Sequence, residues 1–594
     1  MNLELRLKNG IVKALFGIYG QIIEPKNIAL QPTKKEFEGT FTFVTFGLSK
    51  DLRIPPALIA EQLGKYLLEN EPAVEKYNVV QGFLNICFAN TIWVDYFNEM
   101  SITTNFGFWP SKNQKVMVEY SSPNTNKPLH LGHLRNNFLG YSIAEILKAN
   151  GYEVKKTNIV NNRGIHICKS MLAYQLFGNG ATPESLQLKG DHLVGKFYVA
   201  FDKAYKAEIL ELMQDGLSED EAKKNAPLIK AAQEMLLKWE QGDPETIALW
   251  QQMNEWVYAG FNETYQKMGV DFDTTYYESD TYLLGKKTVE EGLQTGVFFR
   301  KDDSSVWIDL ESEGLDQKLV LRKDGTSVYI TQDLGLADKK NEDFPMDKSV
   351  YVVGNEQDYH FDVLFKIMKK LGRSYSKGLY HLSYGMVDLP EGKMKSREGT
   401  VVDADDLIQE MIDTAETTTT ELGKIEGFSK DEAILLFKTL GLGALKYFLL
   451  KVDPKKRMTF NPKESIEFHG NTGPFIQYTF ARISAILRKA VQLEIDLNAK
   501  ANPAELMQIE QELIFLVSQF PDKINEAALG YSPATIANYV YDLAKTYNQF
   551  YNEISIFNEP SAQNQYFRLK LSGLVGQTIE LSMGLLGINV PARM

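Results

Sequence analysis

The sequence predicts an α/β fold with a Rossmann-type parallel sheet, carrying a helical insertion, a small α+β domain at the N-terminus and an all-α bundle at the C-terminus. Three observations predict it. Lys115-Val-Met-Val-Glu-Tyr120 is an apolar, β-prone run that leads through a Pro-containing turn straight into a long helical pattern. Charged, amphipathic runs then fill residues 175–300, before strand-like runs return at Ser327–Thr331 and Ser349–Val353. From residue 405 onward nearly every segment has helical periodicity.

Taken in order, residues 1–110 mix short helical and strand-like runs, and Gly39-Thr-Phe-Thr-Phe-Val-Thr-Phe46 alternates as a half-buried strand does. Asn105–Asn113, with its Gly, Pro and Asn, reads as a linker. The α/β region spans 111–380, and the helical pattern after its first strand stops at Asn150-Gly151. Ala226–Gln241 and Thr246–Met268 are the clearest helices of its insertion, whereas the polar stretch Gly216–Asn225 is the segment most prone to disorder. Residues 381–460 connect this region to the bundle, 461–594. There is no internal repeat and no low-complexity tract.

Bulk composition narrows the class. A net charge of −13 excludes a protein that coats nucleic acid with its whole surface, yet permits basic patches on an acidic body. No run of eighteen apolar residues occurs, and Met1-Asn-Leu-Glu-Leu-Arg6 lacks the regions of a signal peptide, so a cytoplasmic protein with no membrane partner is expected. Cys87 and Cys168 are too distant for Cys-x-x-Cys ligation and too few for a disulfide framework. Free, buried thiols and no zinc are expected.

The most specific local signal is Ser121-Ser-Pro-Asn-Thr-Asn-Lys-Pro-Leu-His-Leu-Gly-His-Leu-Arg135. It places His130 and His133 at the first turn of the helix, where backbone N–H groups and the dipole favour phosphate and where Gly132 permits close approach. Two imidazoles three residues apart share one face and can donate to phosphate oxygens. An isolated His-x-x-His is otherwise a metal pair or two surface residues.

His130-Leu-Gly-His133 resembles the His-Ile-Gly-His signature of the class I aminoacyl-tRNA synthetases. The wider segment Glu119–Arg135 resembles the arginyl-tRNA synthetases more narrowly. So do Gly190-Asp-His-Leu-Val-Gly195, Tyr351-Val-Val-Gly-Asn-Glu-Gln-Asp-Tyr-His360, Gly399-Thr-Val-Val402, Gly470-Asn-Thr-Gly-Pro-Phe-Ile-Gln-Tyr478 and Pro591-Ala-Arg-Met594. The second class I signature, a Lys-Met-Ser-Lys-Ser loop, has its counterpart in Gly392–Thr400: Lys393 and Met394 fit, while Lys395, Ser396 and Arg397 keep the cationic character in another order. Read without the resemblance, that stretch is a solvated basic turn.

The resemblance implies a ligase that activates arginine with ATP and Mg²⁺ and passes it to a ribose hydroxyl of tRNA(Arg), usually as a monomer. It implies catalytic roles for His130, His133, Lys127, Lys393 and Lys395, and ATP contacts from His130, Gly132, His133, Met394 and Ser396. Lys127 would replace the signature lysine whose place Ser396 occupies; otherwise it is a surface lysine in a Pro-flanked turn. The resemblance points to Glu119, Asn124, Tyr329, Asp333 and Gln357 for arginine. Their chemistry suits a guanidinium, which needs buried carboxylates that accept its N–H pairs. Glu119 ends an otherwise apolar strand without a packing reason, Tyr329 and Asp333 lie four apart, and Asp333 also suits a helix cap. No serine or cysteine nucleophile with a base is evident.

The tRNA needs a surface of its own. Lys451–Ala490 holds eight Lys or Arg against three acids, about +5 on a chain of −13. Arg457, Tyr478, Arg482 and Tyr547 are the candidate contacts, although helical core packing is the simpler reading of any one aromatic. The resemblance assigns anticodon binding to the C-terminal bundle and the tRNA elbow to the N-terminal domain. It implies no DNA partner.

Overall fold

The alternating run around Gly39–Phe46 is part of a four-stranded antiparallel sheet in the computed structural model, which describes residues 3–34, 36–388, 402–495 and 502–594. The strands are β1 (Leu30–Pro32), β2 (Phe41–Val44), β3 (Val74–Val80) and β4 (Phe83–Phe88), in the order β1-β2-β4-β3. Helix Pro56–Asn70 lays Ile59, Leu63 and Leu67 into the core, and Gly64 is needed there because a Cβ would lie 2.4 Å from the Tyr77 ring. The chain divides into two compact units, and this sheet belongs to the one formed by Met1–Phe106, Arg482–Pro521 and Asp542–Ile579. Aromatic edges join its parts: Phe41 meets Phe515 at 5.2 Å and Phe97 meets Phe567 at 4.9 Å.

The second unit, Gly107–Ala481 with Asp522–Tyr541 and Glu580–Met594, is built on a five-stranded sheet. Its strands are β5 (Lys115–Glu119), β6 (Glu153–Val160), β7 (Thr274–Tyr277), and, after an antiparallel meander of β8 (Phe298–Arg300), β9 (Val306–Ile308) and β10 (Lys318–Leu321), β11 (Lys348–Gly354) and β12 (Leu379–Tyr384). The order β12-β11-β5-β6-β7 is parallel throughout, and successive strands are added to one side of β5 (β6, β7) and then to the other (β11, β12), so the strand order switches between β5 and β11. In such sheets ligands bind at that switch point, beyond the carboxyl ends of the two strands. A short pair, β13 (Val387–Asp388) and β14 (Met458–Thr459), adjoins it in sequence.

Helix Leu131–Ala149 follows β5 and is capped at Asn150, as the pattern predicts. The insertion occupies the β6–β7 crossover, with helices Gly190–Gln214, Pro227–Glu240 and Pro244–Met268. Three expectations need correction. The insertion ends before residue 300, because Thr274–Tyr277 is the edge strand of the sheet. Gly216–Asn225 is ordered: Ser218 and Glu221 form a reciprocal capping box for helix Glu219–Asn225, and Ala222 is buried. Ser327–Thr331 is no strand but leads into helix Tyr329–Asp343, whose inward residues Ile330, Leu334 and Ala337 pack on the meander core.

Cys87 and Cys168 are both free and buried. Among the described residues one helix, Lys430–Leu450, is long and apolar enough to cross a membrane, and most of it is buried within the protein.

Candidate active site

The switch point is fixed by residues inside helix Leu131–Ala149. Asn136 accepts the Ser121 N–H at 2.6 Å through Oδ1 and donates through Nδ2 to the Val352 carbonyl at 2.7 Å, tying the exit of β5 to β11. Arg135 is fully buried and donates to the carbonyls of Gly385, Pro454 and Lys456 at 2.7–3.2 Å. One guanidinium thereby gathers two distant stretches of chain against the helix. Gly140 allows that helix to approach the sheet, since a Cβ would stand 2.2 Å from Tyr120.

His130 is the N-cap of the helix. Its Nδ1 accepts the Gly132 N–H at 3.2 Å, and His133 Nδ1 accepts the His130 N–H at 3.1 Å. An Nδ1 that accepts must leave the ring proton on Nε2, so both neutral imidazoles present an Nε2–H donor. The rings lie 3.9 Å apart between centroids. Burial and the neighbouring Lys127 ammonium push His130 down to about 4; burial and the charges of His130 and Lys127 push His133 well below its usual value. Both are neutral at physiological pH. The first-turn N–H groups are already taken, that of Leu131 by the Val402 carbonyl at 3.1 Å and that of Gly132 by His130. Donation to an anion therefore falls to the imidazoles and Lys127 rather than to the backbone. Gly132 has a local reason as well, because a Cβ would sit 3.1 Å from the His130 ring.

Lys127 is partly buried, and burial depresses its ammonium. The Gly190–Gly195 motif packs on the turn that carries it: a Cβ at Gly195 would lie 2.8 Å from Pro128 Cδ. Beside the turn, Lys189 bonds Asp191 and Asp405, Lys267 reaches Asp405 at 3.2 Å, and His192 lies 3.3 Å from Asp403. Asp403 caps helix Ala404–Glu421, and the Ala404 N–H bonds the Leu129 carbonyl at 3.0 Å. Val402 and Ala404 are thus pinned to the histidine turn. Lys393, Met394, Lys395, Ser396 and Arg397 lie outside the described residues.

The two candidate arginine-binding acids lie at two depths. Glu119, at the end of β5, is 4% exposed and paired with the buried Lys340. Asp333 is on helix Tyr329–Asp343, its side chain 36% exposed, and accepts from His360 at 2.6 Å, which raises that histidine. It is in the helix's second turn and caps nothing. Tyr329 opens the same helix and is 79% exposed, facing solvent rather than enclosed. Gln357 ends the 3₁₀ turn after β11, and Asn124 is exposed on the loop after β5, where it bridges to Asn161. Glu119 thus ends strand β5 itself, while the other four lie on loops, turns or a helix that follow, or lead into, β5 and β11. Lys340, His360, Arg135 and Asn136 were not singled out by sequence reasoning. For Arg135 and Asn136 the signal was present: Arg135-Asn136-Asn137 is a polar run in a helix that is buried nearly all round.

Arg457 is paired with Asp388 and half-exposed. Lys424 lies 3.4 Å over the Tyr478 ring, and Arg482 donates to Asn548 and covers Tyr551. Tyr547 does not belong to a contact surface: it is fully buried, its hydroxyl bonded to Ser572 at 2.9 Å, so no base can stack on it.

The chain is similar to known proteins over its whole length. The family described as tRNA synthetases class I (R), catalytic domain, matches residues 101–461; the DALR anticodon binding domain matches 476–594, and the arginyl tRNA synthetase N terminal domain matches 5–88. The arginine–tRNA ligases of Bacteroides thetaiotaomicron and Amoebophilus asiaticus are 56% and 57% identical, each alignment covering 100% of both chains. The Thermus thermophilus arginyl-tRNA synthetase superposes with a TM-score of 0.78 at 25% identity, covering 100% of both chains, and the Plasmodium falciparum enzyme with 0.75 at 19%, covering 100% of this chain and 99% of its own. With the histidine turn and the paired acids at the switch point, these matches lead to one conclusion: the chain belongs to the arginyl-tRNA synthetase family, within class I.

Proposed function

We infer that this chain catalyses the ATP-dependent ligation of L-arginine to tRNA(Arg), releasing AMP and pyrophosphate. The observation that carries the reading is the pairing of a neutral histidine turn with two carboxylates of different depth around one switch point. An arginine carboxylate oxygen attacks the α-phosphorus of ATP and pyrophosphate leaves; a ribose hydroxyl of the terminal adenosine then takes the acyl group and AMP leaves. The protein positions the reactants and stabilises charge without a covalent link to either. His130 and His133 meet the phosphates through Nε2–H, and Lys127 supplies the nearby positive charge.

Glu119 and Asp333 receive the guanidinium, with Tyr329, Asn124 and Gln357 around the α-carbon end. Mg²⁺ enters with the nucleotide. The histidine turn offers donors rather than carboxylates, and although Asp191, His192 and Asp405 come close enough to ligate a cation, the Lys189 ammonium already bonds both acids. The residues therefore favour phosphate over a metal of their own. In this reading residues 1–110 meet the tRNA elbow, 111–380 carry catalysis, 381–460 hold the second signature and a stem contact at Arg457, and 461–594 bind the anticodon side, with Tyr478 and Arg482 as contacts. The enzyme works in the cytoplasm as a monomer without a DNA partner.

The test is Asp333→Ala. Its kcat/KM for arginine, measured with tRNA present, is expected to fall by about 2–5 kcal/mol, the scale of a lost charge partner, while the KM for ATP stays put. A kcat/KM equal to that of the wild type would remove Asp333 from the pocket.

A further inference from the structure

One face of helix Tyr329–Asp343 runs from solvent into the core. Tyr329, Asp333 and Lys340 lie at i, i+4 and i+11, on one side of the helix, and their exposure falls along it until Lys340 is 1% exposed. The Lys340 Nζ donates to Glu119 Oε2, and among the described residues nothing else hydrogen-bonds that carboxylate. The ammonium also lies 5.0 Å from the Tyr351 ring, and Tyr351 sits opposite Glu119 across β11 and β5. Burial pushes Lys340 down to about 7, while the touching carboxylate favours its charged form. A sealed ion pair of this kind adds little stability over apolar residues of the same volume. Its use lies elsewhere.

We propose that Lys340 is a positioning residue for amino-acid recognition: it holds one oxygen of Glu119 at the pocket floor, so that the carboxylate stays ionised in the empty enzyme and keeps its second oxygen for one N–H edge of the arginine guanidinium. The inference rests on the assignment of Glu119 and Asp333 to the guanidinium. Without Lys340, Glu119 is a buried carboxyl with no partner and takes up a proton. A protonated carboxyl offers an O–H to a guanidinium that has only donors.

Lys340→Met keeps the volume and removes the charge. Its KM for arginine at pH 7 is expected to rise at least about tenfold, with the KM for ATP unchanged. That KM should fall again as pH is raised and Glu119 loses its proton, a trend that loss of packing would not produce. Lys340→Arg restores the charge and should recover most of the affinity, which keeps the test informative if Lys340→Met folds poorly. Glu119→Gln, assayed alongside, separates the two layers. If it leaves the arginine KM unchanged, the pocket assignment fails. If it raises that KM while folded Lys340→Met matches the wild type or binds arginine more tightly, the pocket stands and the positioning role of Lys340 is overturned.

Discussion

At the scale of residues, the site turns on which groups are charged before substrate arrives. His130 and His133 are held neutral by burial and by Lys127, and their Nδ1 atoms are occupied by backbone N–H groups. In the proposed reaction they are fixed-tautomer donors whose bonds would strengthen as charge develops on the phosphates. Lys127 is the one described cation beside them on that turn. With serine at position 396, where the resemblance expects a signature lysine, we propose a compensating role for Lys127. Lys127→Ala is expected to slow single-turnover adenylate formation at least about tenfold, and Ser396→Lys in that background to recover part of the loss. A Lys127→Ala enzyme as fast as the wild type would pass the role to Lys395 or Arg397.

At the scale of elements, helix Leu131–Ala149 is the keystone of the second unit. Arg135 collects carbonyls from Gly385, Pro454 and Lys456, and Asn136 joins β5 to β11. Arg135→Met would leave those buried carbonyls without their charged donor. A loss of about 3 kcal/mol or more is expected in denaturant unfolding, with the midpoint lowered. A midpoint equal to that of the wild type would deny Arg135 this role. The strand Lys115–Glu119 and its helix were legible in sequence because local periodicity and tertiary burial agree there. Ser327–Thr331 was misread because a β-branched, aromatic run also serves as the first turn of a helix when Ile330 and Leu334 have a core to enter. Gly216–Asn225 looked disordered by polarity, yet a capping box and one buried alanine order it. Glu119 and Asp333 stood out as acids in unlikely places, whereas their partners Lys340 and His360 did not, since pairing across 221 and 27 residues leaves no local trace. Tyr547 misled in the opposite sense: an aromatic at helical spacing reads the same whether it faces solvent or core.

At the scale of the molecule, the active site belongs to the unit containing residues 107–481, while the N-terminal sheet shares the other unit with parts of the C-terminal helices. The acidic body, −13 overall, sets apart the cationic stretch Lys451–Ala490, and phosphate contacts concentrated there would make tRNA binding depend strongly on salt. The central claim is amino-acid identity, read by two carboxylates at different depths. Aminoacylation of total tRNA by the purified chain, with each of the twenty amino acids in turn, tests it most directly. Arginine alone should be attached, with lysine and the neutral amino acids disfavoured by roughly 10⁴ or more, because a side chain without the guanidinium fork leaves the second oxygen of the buried Glu119 carboxylate without a donor. Charging with another amino acid at a comparable kcat/KM, or no charging with arginine, would contradict the account.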